Sequence, residues 1–499
     1  MSHSTNNPSR RDFLKSIGGV LGGISVLGHG FARGHAFGSM PNGYTFYRVL
    51  TANEGGTFGT VRNDLGNITS AVMMASPLSG SGLGYVYIRG TTKSSPGSPG
   101  VFAVVIDFDS TPPVVHKVWD VAVEGRPLDV AGKRITVGHL GTGASNARGE
   151  YVTTVAPAEP SATIAVDNSP GVYLFRPSSA GAKPQASRML GFADQVPDGS
   201  FYGGDFGDVA LDDDQNLLLV AATTQSPDAK VSGFSGSQAL IATSLAAPAT
   251  GRVVLQTGDM LTLARAGVES VGLIDLASNH AFAAQLTARR LDIAGAQSGT
   301  ALVVGNTLAA RAEHKIVAAS PELMSSTLAS QHDITSGHTF FGPRVDQRQD
   351  VAFVTHVGTF QNSVGSNELE LLGYYSRGMS HQLLQTKSIG ARSNEVIGVC
   401  APCIDRTGLM YGTWLLADGT NQLFISDGEN SEVVLQSKQR VRGRAPDGEL
   451  MVTEILFGHH STQVDAFGRL AFTAEFLLDP SKPLDPANVI TALVIGIPG

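Results

Sequence analysis

The sequence predicts an all-β chain, a seven-bladed β-propeller of four-stranded antiparallel blades closed by the N-terminal strand. Three observations carry this. A turn signature returns seven times, at Asn63, Asn146, Asp212, Asp275, Asp346, Asp405 and Asp465. The copies lie 83, 66, 63, 71, 59 and 60 residues apart, a mean of 67. That period suits four strands of about five or six residues with their loops. The third observation is that the two ends of the chain complement each other.

The turn is legible in its chemistry. An Asp or Asn side chain accepts backbone N–H bonds from two residues on, and Gly three residues later takes the left-handed conformation that closes the turn. Asn63-Asp64-Leu65-Gly66, Asn146-Ala147-Arg148-Gly149, Asp405-Arg406-Thr407-Gly408 and Asp465-Ala466-Phe467-Gly468 have all the parts. Gln215, Ser278 and Gln349 stand where the other three copies need Gly. Each turn leads into a strand, such as Leu217–Ala221, Ala281–Ala284, Val351–Val354 and Leu470–Ala474. The longest spacing holds a Ser/Pro/Gly-rich loop, Thr91–Gly100.

After the last turn only two strands remain, Leu470–Phe476 and Val489–Ile495. Tyr44–Thr51 reads as the missing outer strand, so it is expected to complete the last sheet and leave no open edge.

The run Asp465–Ala474 carries the repeat in full, and Asp275–Ala284 and Asp346–Val354 keep its Ala-Phe. This pattern resembles a family of secreted bacterial tandem-repeat proteins whose repeats read Asn-x-x-Gly-x-x-Ala-Phe-x-Ala. The resemblance spans nearly all of the chain after its N-terminal segment. It implies the fold and export, and it implies no activity.

Residues 1–36 read as a twin-arginine signal peptide, and 37–499 as the propeller domain. Ser9-Arg10-Arg11-Asp12-Phe13-Leu14-Lys15 has the twin-arginine pattern, Ile17–Leu27 is moderately apolar, and Gly34-His35-Ala36 offers a cleavage site. The expected location is periplasmic or secreted. No later stretch is long and apolar enough to span a membrane as a helix. Twin-arginine export carries folded proteins, which leaves room for a metal or cofactor loaded before export.

Composition narrows the partners. The chain of 499 residues has a formal charge of −8. The signal segment carries +3, which leaves −11 on residues 37–499. An acidic surface argues against nucleic acid as a partner. The expected partner is a protein, glycan or small ligand, and the expected state a monomer. Lys438, Arg440, Arg442 and Arg444 alternate and read as a solvated outer strand kept from pairing by its charges. Cys400 and Cys403, the only cysteines, read as a disulfide in an exported protein or as two buried thiols.

No catalytic motif is present: no nucleophile elbow, phosphate loop, His-Glu-x-x-His or calcium loop. Ionisable residues do recur five to eight positions before the turns: His139, Asp205, Glu269, His338, His459 and His460. If a ring brings those strands together, these side chains can meet at one end of the channel and hold a divalent metal. Such an ion would activate water. Two functions follow: an exported binding or scaffold protein, or a metal-dependent hydrolase or oxygenase at the channel mouth.

Overall fold

The computed structural model describes residues 40–52, 57–58, 61–62, 65–75, 82–94, 97–158, 169–227, 237–310, 314–329, 335–337, 339–362, 365–376, 379–385, 395–400, 402–428, 430–443, 448–457, 463–482 and 484–499. The fold is all-β with a propeller arrangement. Residues 1–39, with the expected signal peptide, and His338, His459 and His460 lie outside the described residues.

The sheets are meanders that follow one another along the chain. The first joins Leu65–Ala75, Leu83–Thr92, Pro99–Asp107 and Val114–Val123. The second runs from Lys133–Ser145 through Tyr151–Pro157 and Gly171–Arg176 to Gln185–Gly191. The third runs from Phe201–Leu211 to Ala247–Gln256, and the fourth from Ala266–Ala277 to Lys315–Ala319 with short added strands. The fifth runs from Thr339–Val345 to Met379–Gln385. The sixth begins with Val396–Val399 and Cys403–Ile404, both paired to Met410–Leu416, and ends at Ser431–Gln436. The seventh contains Glu449–Leu456, Leu470–Leu477 and Val489–Pro498. Five of these sheets are open, while the second and seventh close on themselves.

Burial explains why the sheets stand side by side. Strands such as Tyr85–Ile88, Leu217–Ala222 and Phe282–Ala284 are buried throughout, so both faces of a sheet need a neighbour. Apolar cores supply it. One joins the first and second sheets through Tyr87, Tyr151 and Phe175. Others join the second to the third, the third to the fourth, the fourth to the fifth, the fifth to the sixth and the sixth to the seventh. A further core joins the seventh back to the first, through Leu493, Ile495, Ala471, Val86 and Phe102. First strands also pack in succession: Lys133–Ser145 meets Phe201–Leu211, which meets Ala266–Ala277, which meets Thr339–Val345.

The ends meet as the sequence predicts. Tyr44–Thr51 pairs antiparallel with Val489–Pro498, Tyr44 opposite Pro498 and Thr51 opposite Ala492. The basic run behaves otherwise than expected. Arg440–Gly443 pairs with two strands, parallel to Tyr44–Thr51 and antiparallel to Glu449–Leu456. The charges do not prevent this, because Arg440 and Arg442 point outward while Val441 between them is buried.

A second repeated device escaped the sequence reading. Where the chain passes from one sheet to the next, Gly125, Ala193, Gly258 and Lys438 all have positive φ, between 64° and 93°. Each donates its N–H across a short hairpin, to Val137, Tyr202, Val268 and Val452 respectively, and each of these partners donates back to the following residue. The side chains of Asp194, Asp259 and Gln439 each accept the N–H three residues earlier. Only two of the four left-handed residues are Gly, so no composition signal marks the device.

Candidate functional site: the axial turn ring and a lateral groove

The repeated turns form as their chemistry requires. Asn146, Asp212, Asp346, Asp405 and Asp465 each accept backbone N–H bonds from residues two and four positions on, at 2.7–3.2 Å. The residue three positions on has positive φ in every case, including Gln215 at 68° and Gln349 at 66°.

Two copies need correction. Asp275 is not a turn residue. Ala277 pairs with Ala281 across Ser278–His280, so Ala277 occupies the place that Asp346 holds in the next sheet. His280, not Ser278, then takes the left-handed position, at 62°. Matching on Ala-Phe had set the register two residues off. Asn63 is the other. It lies outside the described residues, and the strand after it, Leu65–Ala75, opens the first sheet instead of forming its second strand. The hairpin of that sheet comes later, between Ala75 and Leu83, which accounts for the long first spacing.

The turns of the second to seventh sheets converge on one small cavity, about 90 Å³, lined by Ala147, Asp212, Asp213, Asp275, Asp346, Gln347, Asp405, Arg406 and Asp465 among others. Residues far apart in sequence thus do meet at one axial mouth, but they are turn residues. Arg406 of the sixth sheet forms an ion pair with Asp213 of the third. Gln347 donates to the Arg406 carbonyl at 3.1 Å, and Arg148 to the Asp213 carbonyl at 3.2 Å.

Just inside the mouth lies a buried layer. Asp275 accepts the Val345 N–H at 2.9 Å and sits 4.0 Å from the Arg344 guanidinium. Asp208 accepts the Ile274 N–H at 3.0 Å, so each carboxylate ties its strand to the next sheet. Burial pushes Asp275 up to about 6, against the pull of Arg344, and also raises Asp208. Burial raises the Cys403 thiol to about 11. No disulfide joins Cys400 and Cys403: Cys403 is packed in the core between the sixth and seventh sheets, whereas Cys400 is only partly buried.

The other candidate ligands are not drawn together. His139 is exposed and lies 3.2 Å from Glu124. Glu269 pairs with Arg289 at 2.9 Å and accepts the Ser298 hydroxyl at 2.6 Å, both on its own sheet. Asp205 lies on the irregular stretch between Tyr202 and Phe206. Among the described residues, no three His, Cys, Asp or Glu side chains are grouped to hold a metal ion.

A larger concavity lies to the side. A groove of about 860 Å³ runs between the last strand of the first sheet and the second sheet. Its walls include Val121, Val123, Leu128, Leu174, Pro127, Pro177 and Pro184, with Arg126, Arg176, Lys183, Asp120 and Asp129 as charged groups. Asp120 is held by Arg126 at 3.1 Å and Asp129 by Arg134 at 3.0 Å. Arg176 reaches out of it to the buried carboxylate of Glu150, at 2.6 Å.

No protein-family model matches the sequence, and neither does any curated protein. Among solved structures, the chain is similar to the Dos1 propeller at a TM-score of 0.36 and 10% identity, covering 90% of this chain and 94% of that one. It is similar to an acylaminoacyl peptidase of Pyrococcus horikoshii at 0.36 and 10%, covering 82% of this chain but only 58% of the peptidase. It is similar to the Aleuria aurantia lectin, solved with α-methyl-L-fucoside, at 0.32 and 10%, covering 74% and 95%. At these scores nothing about ligand or activity passes to this chain. Among the described residues, no helix is long and apolar enough to cross a membrane.

Proposed function

We propose that this chain is an exported, seven-bladed β-propeller that binds a protein, glycan or small ligand and catalyses no reaction. The blade count is supported by the seven successive sheets and by the apolar cores that link each to the next and the last to the first. Counting each closed sheet as one blade follows from its meander: the extra strands Pro127–Val130 and Arg440–Gly443 are the arms of the crossover hairpins. Export through the twin-arginine route is supported by Ser9–Lys15 and the apolar stretch after it.

One observation carries the binding reading. The 860 Å³ groove has the size of a ligand site, yet among the described residues its lining contains no His, Cys or Glu, and each of its two carboxylates is paired with an arginine. Among the described residues it presents no Ser or Cys beside a His and no unpaired carboxylate. At the axial mouth, one oxygen of each turn carboxylate is already engaged by backbone N–H groups.

The test is a binding screen of the mature protein on glycan and peptide arrays, repeated with Lys183→Glu. Lys183 is exposed at the groove and forms no ion pair among the described residues. The expected result is a defined class of bound probe whose signal falls at least about fivefold in the variant, at unchanged melting temperature. Steady turnover of chromogenic ester, glycoside or peptide substrates by the wild-type protein would overturn the reading.

A further inference from the structure

Five turns at the axial mouth share one construction, and one of them is incomplete. In four of them, the second side-chain atom of the Asx residue has a task. Asp212 Oδ2 accepts Asn216 Nδ2 at 2.8 Å. Asp405 Oδ2 accepts the Tyr411 hydroxyl at 3.0 Å. Asp465 Oδ2 accepts Arg469 Nε at 2.6 Å. Asn146 reverses the polarity and donates Nδ2 to Glu150 at 2.8 Å.

The fifth sheet breaks the pattern. The residue four places after Asp346 is Asp350, a second carboxylate, which cannot donate when ionised. Both are buried, at 2% and 4% exposure. Among the described residues, Asp346 Oδ2 has no hydrogen-bond partner. Asp346 also lines the axial cavity. The Arg348 guanidinium donates to the Thr407 carbonyl at 3.1 Å and acts on Asp346 through its charge without a hydrogen bond to Oδ2, and Arg406 is paired with Asp213.

A buried carboxylate oxygen without a donor is unfavourable unless a proton or a metal cation joins it. We infer that Asp346 and Asp350 form a calcium site entered from the axial cavity. Asp346 Oδ2 is the anchoring ligand and Asp350 supplies the second charge. Calcium suits the place because it accepts irregular sets of oxygen ligands. A cavity of about 90 Å³ has room for the water that would complete the set. With only two carboxylates the site belongs to the weak, extracellular range, a Kd of about 0.1–1 mM. The inference is independent of the lateral groove.

The experiment follows the melting temperature of the EDTA-treated mature protein as calcium is added to about 10 mM, well above that range. Magnesium and sodium chloride serve as controls, and equilibrium dialysis with radioactive calcium counts the ions bound. Wild type is expected to gain several degrees, saturably, with about one ion bound. Asp350→Asn reproduces the Asp212–Asn216 arrangement, and Asp346→Asn the Asn146–Glu150 one. Both variants are expected to melt higher than wild type in EDTA and to lose the calcium response. No calcium response in wild type, or a response that survives in both variants, would overturn the inference.

Discussion

The hydroxyl of Tyr44 donates a 2.6 Å hydrogen bond to the carbonyl of Gly468, 424 residues further along the chain. Tyr44 opens the strand that completes the seventh sheet, and Gly468 closes that sheet's repeated turn. Next to it, Arg469 lies 4.0 Å from the ring centre of Phe108 in the first sheet and 4.9 Å from that of Phe467. This junction therefore combines a strand pairing and a hydrogen bond within the seventh sheet with a cation stacked toward the first.

This junction is expected to govern the stability of the whole domain. Tyr44→Phe removes the hydroxyl only and should cost about 0.5–1.5 kcal/mol in urea unfolding. Deleting residues 43–50 removes the outer strand and the buried Val49 and Leu50, and should abolish cooperative unfolding. An unchanged melting temperature in the deletion would mean that the ring does not depend on its own ends.

Gln349 sits at a φ of 66° where three other turns have Gly. A side chain in that conformation costs roughly 1–2 kcal/mol, partly offset by the greater freedom Gly gives the unfolded chain. Gln349→Gly is therefore expected to stabilise by about 0.5–1 kcal/mol, measured as a shift in urea midpoint at constant slope. Gln215 is not equivalent, because its amide donates to both oxygens of Glu150, at 2.7 and 2.9 Å. Its replacement by Gly should destabilise.

Asp275 and Asp346 are both held up to about 6, chiefly by burial, with the charge of Asp350 adding to the shift at Asp346. Their folded values stand above the unfolded carboxylate value of about 3.9. Such groups favour folding fully below the unfolded value, and that stabilisation is lost as pH rises through the folded value. In EDTA, unfolding free energy should thus fall between about pH 3.5 and pH 6.5, by on the order of 1–3 kcal/mol for each group. Asp346→Asn should flatten part of this dependence. A variant with the wild-type slope would show that Asp346 does not titrate in that window.

How much was legible depended on the range of the interaction. The turns at Asn146, Asp212, Asp346, Asp405 and Asp465 could be read directly, because each is built from bonds spanning two to four residues. The fourth sheet differs because Ala277 has no hydrogen-bonding side chain to start such a turn, and Asp275 two places earlier imitates one. Of the candidate ligands on inner strands, His139, Asp205 and Glu269 lie among the described residues and are not grouped, for another reason. An inner strand has irregular stretches, as between Val271 and Ile274 or Tyr202 and Phe206, and a one-residue slip turns a side chain to the other face.

By itself, then, the amino-acid order determined the strand-and-turn period, the meander and the strand that joins the two termini, since these follow from local backbone preferences and alternating burial. Tertiary structure alone decided that Arg406 meets Asp213, that Asp346 is left beside Asp350 facing the axis, and that the open groove lies between the first two sheets. Those outcomes depend on strand register and on how neighbouring sheets pack around a shared axis, and neither is encoded within any one repeat.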